Sequence, residues 1–490
     1  MKHKTALFLS AILLIASFSS VAQEIKPVTG TFLNFFWQDE RNNYMNQRNV
    51  DQTNPDHWAC KVEELHEMGV DYLIFMAVAN EGKAIYPSKF MERAYPEGRK
   101  SPIDAIMDTA DRLGMHVIVS TGWARNQLDN LADPYVIETQ RKIMEELAEI
   151  YGTRSSFYGW YLPVEGCFIP YLSDHAVQGV NKIAARAREL TPGAKVLISP
   201  YGTFAADFED PRFAKSIYDL DVDIIAYQDE IGCVRETFPM KNMKEHFKML
   251  EEIHKKTNIE FWANVESFTW DREPNNWYST LVPAAFGRYL SQIVGVNQAG
   301  VDRIISFAVT GIIDKPFSNY PAGQKILSNE AYEDYMAWKN GDSRWKLLEE
   351  IFTGKQFAEH KVLNGPKSIC DGKFAWENPS DEAWNTFENG EMSIIVDLGD
   401  KKNITKIAAH FCEYYLENIS IPQCLEVEIS NDGKNFKKVK TVTYKNWPNK
   451  LLDCWTDIIL ADGLDVRGRY VKISAYAKDA KILCSEIIVE

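Results

Sequence analysis

The first two-thirds of the chain alternates short apolar runs with longer amphipathic stretches, eight times over. The apolar runs have the length of buried strands and cover residues 30–37, 72–78, 116–123, 158–165, 195–201, 224–228, 260–266 and 303–310. Between them, apolar residues recur at the three- and four-residue spacing of helices over residues 58–68, 102–113, 134–151, 174–190 and 242–256. Strand alternating with helix predicts a parallel sheet, and eight units fit a closed (β/α)8 barrel better than an open sheet. The alternative, an open doubly wound sheet, normally has a glycine-rich phosphate turn after its first strand, and residues 30–37 contain none.

The last third of the chain has a different pattern. The final barrel helix is predicted within residues 329–341, followed by a short helix over 343–352. Beyond residue 355, short alternating runs are separated by turn sequences such as Asp371-Gly372 and Asn389-Gly390, which indicates an antiparallel β-sandwich. We therefore predict a barrel over residues 23–354 and an all-β sandwich over residues 355–490.

Residues 1–22 have the pattern of a secretory signal peptide. Lys2 and Lys4 form a basic start, an apolar stretch follows over residues 6–18, and the small residues Ser20 and Ala22 occupy the cleavage positions. No later apolar run is long enough to span a membrane, and no cysteine adjoins the cleavage point as a lipoprotein signal would require. We expect an exported protein, periplasmic or extracellular.

Charge and cysteine content restrict the kinds of ligand. The formal net charge of −15 argues against nucleic acid or an anionic membrane as a partner, so a neutral or cationic ligand is expected. The eight cysteines form no C-x-x-C pair and no zinc-ligand spacing. We expect no metal ion or other cofactor in the barrel, and the pairing of cysteines stays open.

Two of the eight runs, the fourth and the seventh, end in a glutamate: Glu165 and Glu266. In a parallel barrel the carboxyl ends of the strands converge on the active site, so these two side chains are expected to meet in one pocket. Two facing carboxyl groups are the minimum needed to cleave a glycosidic bond. The structural alternative is that each glutamate is a solvated strand-end residue or pairs with an arginine such as Arg125 or Arg154.

Aromatic and amide side chains accompany the glutamates at the strand ends. Sugar rings bind to flat apolar surfaces and to hydrogen-bonding groups, which makes a carbohydrate cleft the leading interpretation, although any one aromatic is more often a core residue. The predicted supporting or substrate-binding residues are Trp37, Asp39, Asn80, Trp123, Tyr201, Tyr227, Gln228, Asp229, Glu230, Asn264 and Trp270. Nucleotide loops, H-E-x-x-H helices and nucleophile elbows do not occur in the sequence.

A glutamate after strand four and another after strand seven resemble the large superfamily of retaining glycosidases. The resemblance implies that Glu165 is the acid/base and Glu266 the nucleophile of a two-step displacement, although that superfamily usually has asparagine where this chain has Val164. The layout also resembles a family of exported glycosidase-like barrel proteins sometimes labelled α-L-fucosidases. α-L-fucosidases use an aspartate nucleophile after strand four, where this chain has Glu165 instead. Under this second resemblance Asp229 and Glu230, at the end of the sixth run, are the competing catalytic residues.

The last third resembles the discoidin or coagulation-factor type C family. The motifs that carry the resemblance are Asp371-Gly372, Trp384, Gly390, residues 394–399, Ile404, Ile421-Pro422, residues 427–433, Phe436, Arg469-Tyr470-Val471 and Ser485-Glu486-Ile487. The resemblance implies a galactose-binding-like jelly roll that serves as a carbohydrate-binding module, with a possible structural calcium ion near Asp371. Its candidate ligand-loop aromatics, each of which could equally be a packed residue, are Trp376, Tyr414, Tyr415, Trp447 and Trp455.

The sequence therefore predicts a hydrolase that acts on an oligo- or polysaccharide, with two alternatives. The chain could bind glycan without cleaving it, or the barrel could be a metal-dependent deacetylase or lyase, for which a divalent metal in the pocket would be the sign.

Overall fold

The computed structural model describes residues 24–35, 50–127, 129–130, 133–163, 168–233, 239–271, 280–323, 325–448 and 450–490. The predicted signal peptide, Trp37, Asp39, Val164 and Glu165 lie outside the described residues.

Eight parallel strands close into a barrel, which confirms the predicted fold class of the first domain. In chain order the strands are β1 Gly30–Leu33, β2 Tyr72–Phe75, β3 His116–Ser120, β4 Phe157–Tyr161, β5 Lys195–Ile198, β6 Ile224–Gln228, β7 Glu260–Glu266 and β8 Arg303–Phe307. Neighbouring strands pair in sequence order and β1 pairs with both β2 and β8, which closes the ring. The register sets Glu266 beside Phe307 and Asn264 beside Gln228, so the carboxyl ends of β6, β7 and β8 lie at one rim.

Nine helices of the described chain lie between and after the barrel strands, the last ending at residue 352. They are α1 Pro55–Met68, α2 Pro102–Leu113, α3 Pro134–Tyr151, α4 Asp174–Leu190, α5 Pro211–Tyr218, α6 Met243–His254, α7 Phe286–Ala299, α8 Lys325–Lys339 and α9 Ser343–Phe352. Four of them begin with proline directly after a capping Asn, Ser or Asp whose side chain accepts a first-turn amide. This arrangement satisfies an otherwise unpaired helix donor and fixes where each helix begins.

Residues along the strands alternate between the barrel lumen and the surrounding helices, as the period of two requires. The lumen holds a separate cluster that includes Phe32, Ile74, Ile118, Trp123, Tyr161, Leu197, Ala226, Trp262 and Ile305. The intervening residues, such as Val117, Ile225 and Val265, belong to the larger cluster between strands and helices. The barrel is therefore a packed core, and a ligand can reach only its rim.

The last third folds into two packed antiparallel sheets, as predicted for a β-sandwich. Its strands are β9 Lys361–Asn364, β10 Asn385–Phe387, β11 Glu391–Ile404, β12 Ile407–Glu413, β13 Cys424–Ser430, β14 Lys437–Thr443, β15 Trp455–Ala461, β16 Val466–Tyr476 and β17 Ile482–Val489. One sheet has the order β9-β11-β16-β13-β14 and the other β10-β17-β12-β15. Their facing side chains form a core of their own, which includes Ile394, Phe411, Val427 and Ile473.

Helix α7 lies where the two domains meet. Every residue of α7 except Gln298 is buried, and a side chain at Gly287 would meet the carbonyl oxygen of Thr456 on β15 at 2.2 Å. Sandwich residues Ile458 and Ile488 belong to the same apolar cluster as the barrel helices. The sandwich therefore has its own core and also contributes residues to the core cluster of the barrel helices.

Polar groups reinforce this junction. Arg344 on α9 pairs with buried Asp457 on β15, with Nε at 3.1 Å from Oδ1, and the Tyr444 hydroxyl donates to the same carboxylate over 2.7 Å. The Nε of Arg288 on α7 lies 3.8 Å from Oδ2 of Asp453 in the sandwich. Across the part of the chain that the structure describes, no helix is both long and apolar enough to cross a membrane.

Candidate active site

The carboxyl ends of β6 and β7 bring three carboxyl groups into one buried cluster. Glu266 is the last residue of β7, and Asp229 and Glu230 directly follow β6. All three are at most 3% exposed. Their charges act on one another, since Glu266 raises the pKa of both Asp229 and Glu230. The sequence predicted each of these residues, and the structure brings them together.

Glu266 is held by the turn that follows β6. Its Oε2 accepts the backbone amides of Gly232 and Cys233 at 2.7 and 2.8 Å, and its Oε1 accepts the Cys233 thiol at 3.1 Å. Burial raises the pKa of Glu266, while these donors oppose that shift because they favour the anion. Of the three carboxyls, Glu266 is therefore the one best supported in the ionised form. Burial and the Glu266 charge raise the pKa of the Cys233 thiol, which keeps it a proton donor.

Asp229 faces away from the lumen, toward α7. Its Oδ1 accepts the backbone amide of Glu266 at 3.1 Å, and its Oδ2 accepts Gln292 Nε2 at 2.6 Å. The same Gln292 nitrogen donates to the carbonyl oxygen of Glu266 at 3.1 Å. Burial, followed by the Glu266 charge, raises the pKa of Asp229 to about 7. Asp229 thus holds the end of β7 from the side of the strand that faces α7.

Glu230 is the least satisfied carboxyl of the cluster. Its Oε1 accepts the Gly202 amide at 2.6 Å, whereas its buried Oε2 has no hydrogen-bond partner among the described residues. Burial raises the pKa of Glu230 to about 8, and the charges of Glu266 and Asp229 add to the effect. Its backbone has φ of 58°, a left-handed conformation that a residue with a side chain rarely adopts. Such strained residues cluster at functional sites.

Several predicted supporting residues lie at this rim. Asn264 alternates with Glu266 on the lumen face and donates to Ser199 Oγ at 3.1 Å, and Gln228 donates to the Ser199 carbonyl at 2.9 Å. Trp123 belongs to the lumen cluster. Tyr201 is partly exposed after β5, and Asn80 follows β2 in a short hairpin.

Two predicted supporting residues do not face the pocket. Tyr227 lies on the outer face of β6, where it is fully buried and its hydroxyl bonds to His254 Nε2 of α6 at 3.0 Å. The period of two explains this placement, because Gln228 beside it takes the lumen face. Trp270 lies in a hairpin formed by Phe268–Trp270 and Leu281–Pro283, is 1% exposed, and donates from Nε1 to the Cys233 carbonyl at 3.1 Å. Both are structural residues, and their assignment to substrate binding is corrected.

The alternative pairing of the glutamates with Arg125 or Arg154 is not seen for Glu266. Arg125 pairs with Asp133, and Arg154 pairs with Asp108 and Asp111.

The candidate ligand-loop aromatics of the sandwich mostly turn inward. Trp455 is in the sandwich core, Trp447 packs against both clusters, and Trp376 stacks on Phe352 of α9 with ring centroids 6.1 Å apart. Tyr414 is partly buried and pairs through its backbone with Ile419. Packing against the barrel thus occupies the rings of Trp376 and Trp447, and the sandwich core occupies that of Trp455, which corrects the assignment of all three. Tyr415 remains 48% exposed, with Lys450 Nζ 4.5 Å from its ring centroid.

Groups of three or more His, Cys, Asp or Glu side chains arranged to hold a metal ion are not found among the described residues.

The family model described as "Domain of unknown function (DUF4434)" matches residues 28–320 of this chain. No curated protein matches this chain. Among solved structures, a protein from Bacteroides thetaiotaomicron named a "putative alpha-L-fucosidase" aligns with a TM-score of 0.51 and 18% identity, over 68% of this chain and 98% of its own. At that identity the likeness shows the fold alone.

Two further structures align at lower TM-scores, at which the likeness carries no argument. A Ruminococcus gnavus fucosidase in complex with fucose has a TM-score of 0.35 and 12% identity, over 95% of this chain and 92% of its own. A Clostridium perfringens protein in complex with GalNAc-β-1,3-galactose has a TM-score of 0.19 and 21% identity, over 26% of this chain and 84% of its own.

Proposed function

Since the chain belongs to the DUF4434 family, whose function is unknown, we propose from its site that it is a glycoside hydrolase acting on a complex glycan. The observation that carries the proposal is the pair formed by Glu230 and Glu266. Burial raises the pKa of Glu230 to about 8 and leaves one of its oxygens without a partner among the described residues, while donors that favour the anion hold Glu266. Two carboxyls whose surroundings separate their pKa values are what acid and nucleophile roles require.

The mechanism we propose is a two-step displacement with net retention. Glu230, protonated at neutral pH, gives its proton to the glycosidic oxygen while the Glu266 carboxylate attacks the anomeric carbon. The ionised Glu230 then takes a proton from water, whose oxygen releases the sugar from Glu266. Asp229 and Gln292 hold the β7 backbone behind Glu266 during both steps.

Glu165 is a second candidate for the acid/base. It follows β4, the strand that carries the acid/base in the superfamily this chain resembles, and it lies outside the described residues. In the α-L-fucosidase alternative, Asp229 or Glu230 would act as the nucleophile. The orientation of Asp229 toward Gln292 supports a positioning role for it instead.

Leaving-group dependence separates these roles. A nitrophenolate leaves without a proton, so a variant that lacks the acid/base keeps much of its kcat/KM on nitrophenyl glycosides, although its kcat falls because the same residue activates water in the second step. On an unactivated oligosaccharide it loses about 10²- to 10⁴-fold in kcat/KM. We expect this pattern for Glu230→Gln, and loss on both substrates for Glu266→Gln, measured on a panel of nitrophenyl glycosides that begins with the α-L-fucoside. If Glu165→Gln shows the selective loss and Glu230→Gln does not, the acid is Glu165.

The competing proposal of a glycan-binding protein without activity is tested by the same panel. Release of reducing sugar from glycans by the wild-type protein, lost in the Glu266→Gln variant, supports the hydrolase. Saturable glycan binding by pure wild-type protein without any release of sugar would overturn it. Proton NMR of the first-formed sugar gives the stereochemical outcome, and the anomeric configuration of that sugar should match that of the substrate.

We propose further that the protein is exported and that its sandwich binds carbohydrate and one structural calcium ion. Support for the ion comes from Glu486 on β17, which is fully buried. Its Oε2 accepts the Gly372 amide at 3.0 Å, and its Oε1 has no partner among the described residues. Burial, with the charge of Asp371 adding to it, raises the pKa of Glu486 to about 8. Calcium takes six to eight oxygen ligands, of which Asp371 and Glu486 would supply the carboxylates.

A further inference from the structure

Among the polar side chains at the carboxyl rim of the barrel that keep buried atoms without hydrogen-bond partners in the described residues, four neutral ones form a group. They follow β8, β1, β2 and β3, which are consecutive around the barrel, and are named here the neutral rim: Thr310 Oγ1, Asn34 Oδ1 and Nδ2, Asn80 Oδ1 and Trp123 Nε1. The carboxyl cluster follows β6 and β7. The three carboxyl groups of the rim therefore follow β6 and β7, whereas the strands from β8 to β3 contribute the neutral rim.

Asn34 is the most informative member of the neutral rim. It directly follows β1, and the alternation that sends Phe32 into the lumen cluster sends Asn34 to the same face. It is only 2% exposed, yet neither its amide oxygen nor its amide nitrogen has a partner within the described part of the chain. A buried amide that is unpaired at both ends destabilises a folded protein, and almost all buried polar groups in proteins are paired. The exceptions call for an explanation, and a ligand that supplies both partners is one.

We infer that the neutral rim binds the hydroxyl groups of a neutral sugar ring, with Asn34 bonded to two neighbouring hydroxyls. Its Oδ1 accepts from one hydroxyl and its Nδ2 donates to the next, because a hydroxyl can serve as either donor or acceptor. The indole of Trp123 donates to a further oxygen. This inference rests on the proposed function and names the part of the substrate that the site recognises.

Charge favours a neutral ring over an acidic one. The Glu266 carboxylate lies at the same rim, and the members of the neutral rim carry no positive charge with which to pair an anion. A uronate carboxylate would lose its hydration on entering and would gain only neutral donors in return. Neutral monosaccharides present hydroxyls alone, which amide, indole and hydroxyl groups can pair.

The test uses the full-length protein, four free monosaccharides and the substitution Asn34→Leu. Leucine has nearly the shape of asparagine but cannot form hydrogen bonds. Binding of L-fucose, D-galactose, D-glucose and D-glucuronate is followed by saturation-transfer NMR, and thermal unfolding is measured for each variant. We expect at least one neutral sugar to bind the wild type, to bind Asn34→Leu at least tenfold more weakly, and to bind more tightly than glucuronate.

Thermal unfolding separates a binding role from a structural one. Asn34→Leu should melt at the wild-type temperature or above it, because it removes an unpaired buried amide. The matched control is Asn297→Leu on α7, since the Asn297 amide is fully bonded to Lys26 and Ile293 and its loss should lower the melting temperature. A melting temperature for Asn34→Leu that falls as far as that of Asn297→Leu would overturn the inference.

The outcomes also distinguish this inference from the proposed function. Sugar binding that depends on Asn34, in a protein that hydrolyses no glycoside, would support the neutral rim and contradict the hydrolase. Hydrolysis by Asn34→Leu with an unchanged KM would support the hydrolase and contradict the neutral rim. Failure of all three neutral sugars to bind the wild type, or tighter binding of glucuronate, would overturn the neutral rim.

Discussion

The backbone amide of Glu266 donates to Asp229 Oδ1 over 3.1 Å, so a carboxylate behind the barrel wall holds the strand end that carries the proposed nucleophile. Gln292 ties both residues together, because its Nε2 donates to Asp229 Oδ2 and to the Glu266 carbonyl. The catalytic geometry therefore depends on α7 as well as on the barrel strands.

Replacing Asp229 by asparagine should lower kcat about 10²-fold with little change in KM. The new amide nitrogen would face Gln292 Nε2, and the resulting donor–donor contact would shift the end of β7; small displacements of a catalytic group cost this much. The pH profile should also change. Because the Asp229 charge contributes to the raised pKa of Glu230, its removal should move the alkaline limb of kcat/KM to lower pH.

The matched control for this change is Asp302→Asn. Asp302 Oδ2 accepts the amide of Phe261 at 2.8 Å, so it holds the opposite end of the same strand. This variant should lose stability but keep the wild-type pH profile. A wild-type kcat and pH profile in Asp229→Asn would rule out the positioning role.

The activity should fall as the pH rises through about 8. Burial raises the pKa of Glu230 to about 8, so below that pH the group is protonated and can donate, and above it the proton is lost. Glu230→Gln cannot titrate and should lack this limb. Glu486→Gln is the control, since burial raises the pKa of Glu486 to about 8 as well, but in the sandwich. The measurement is kcat/KM against pH on an unactivated oligosaccharide, whose leaving group needs the proton; an alkaline limb that persists in Glu230→Gln would assign it to another group.

Arg344→Met should destabilise the whole protein by about 3 kcal/mol, because it leaves the buried Asp457 carboxylate without its cation. Denaturant unfolding should show one transition for barrel and sandwich together, since the sandwich contributes residues to the core cluster of the barrel helices. The control is Arg141→Met, which breaks exposed ion pairs with Glu138 and Glu145 and should cost less than about 1 kcal/mol. Two separate transitions in the wild type would contradict this coupling.

Tyr415→Ala should weaken binding of the inactive Glu266→Gln protein to its polysaccharide about tenfold, if the sandwich binds through this exposed ring. Lys450 covers one face of the ring, which leaves the other for a sugar. Affinity electrophoresis of the variant against Tyr476→Ala provides the comparison, since Tyr476 is similarly exposed, at 44%, but lies within β16. Equal mobility shifts for both variants would remove Tyr415 from the binding surface.

Calcium should raise the melting temperature of the wild type by a few degrees over its value in a chelator, because an ion that binds only the folded state stabilises it. Glu486→Gln should abolish the difference. The same melting temperature for the wild type in calcium and in chelator would show that no such ion contributes.

The sequence predicted the strands and most helices because their apolar periodicity is local. The predicted start of each barrel strand agrees with the structure to within one residue, and the helices Pro102–Leu113, Pro134–Tyr151 and Asp174–Leu190 were predicted with the same bounds. Several strands end earlier than their apolar runs, since the residues that follow are buried at the rim but no longer continue the strand ladder. Helix α7 was missed: it is buried on all sides, so it has no polar face for a periodic pattern to reveal.

The site was predicted in part. Strand position alone pointed to Glu266, Asp229 and Glu230, because they stand at the ends of apolar runs. The unusual backbone of Glu230 left no sequence signal, since it depends on how the turn after β6 packs. Asn34 was overlooked although alternation from Phe32 places it in the lumen; nothing in a sequence shows that an amide will lack partners.

The burial of α7 between barrel and sandwich has a practical consequence for anyone who dissects this protein. A gene cut after residue 354 would encode a barrel whose sandwich-facing apolar surface is exposed to solvent, so the fragment would self-associate on purification. Loss of activity in such a fragment would then report a damaged scaffold rather than a missing sugar-binding appendage.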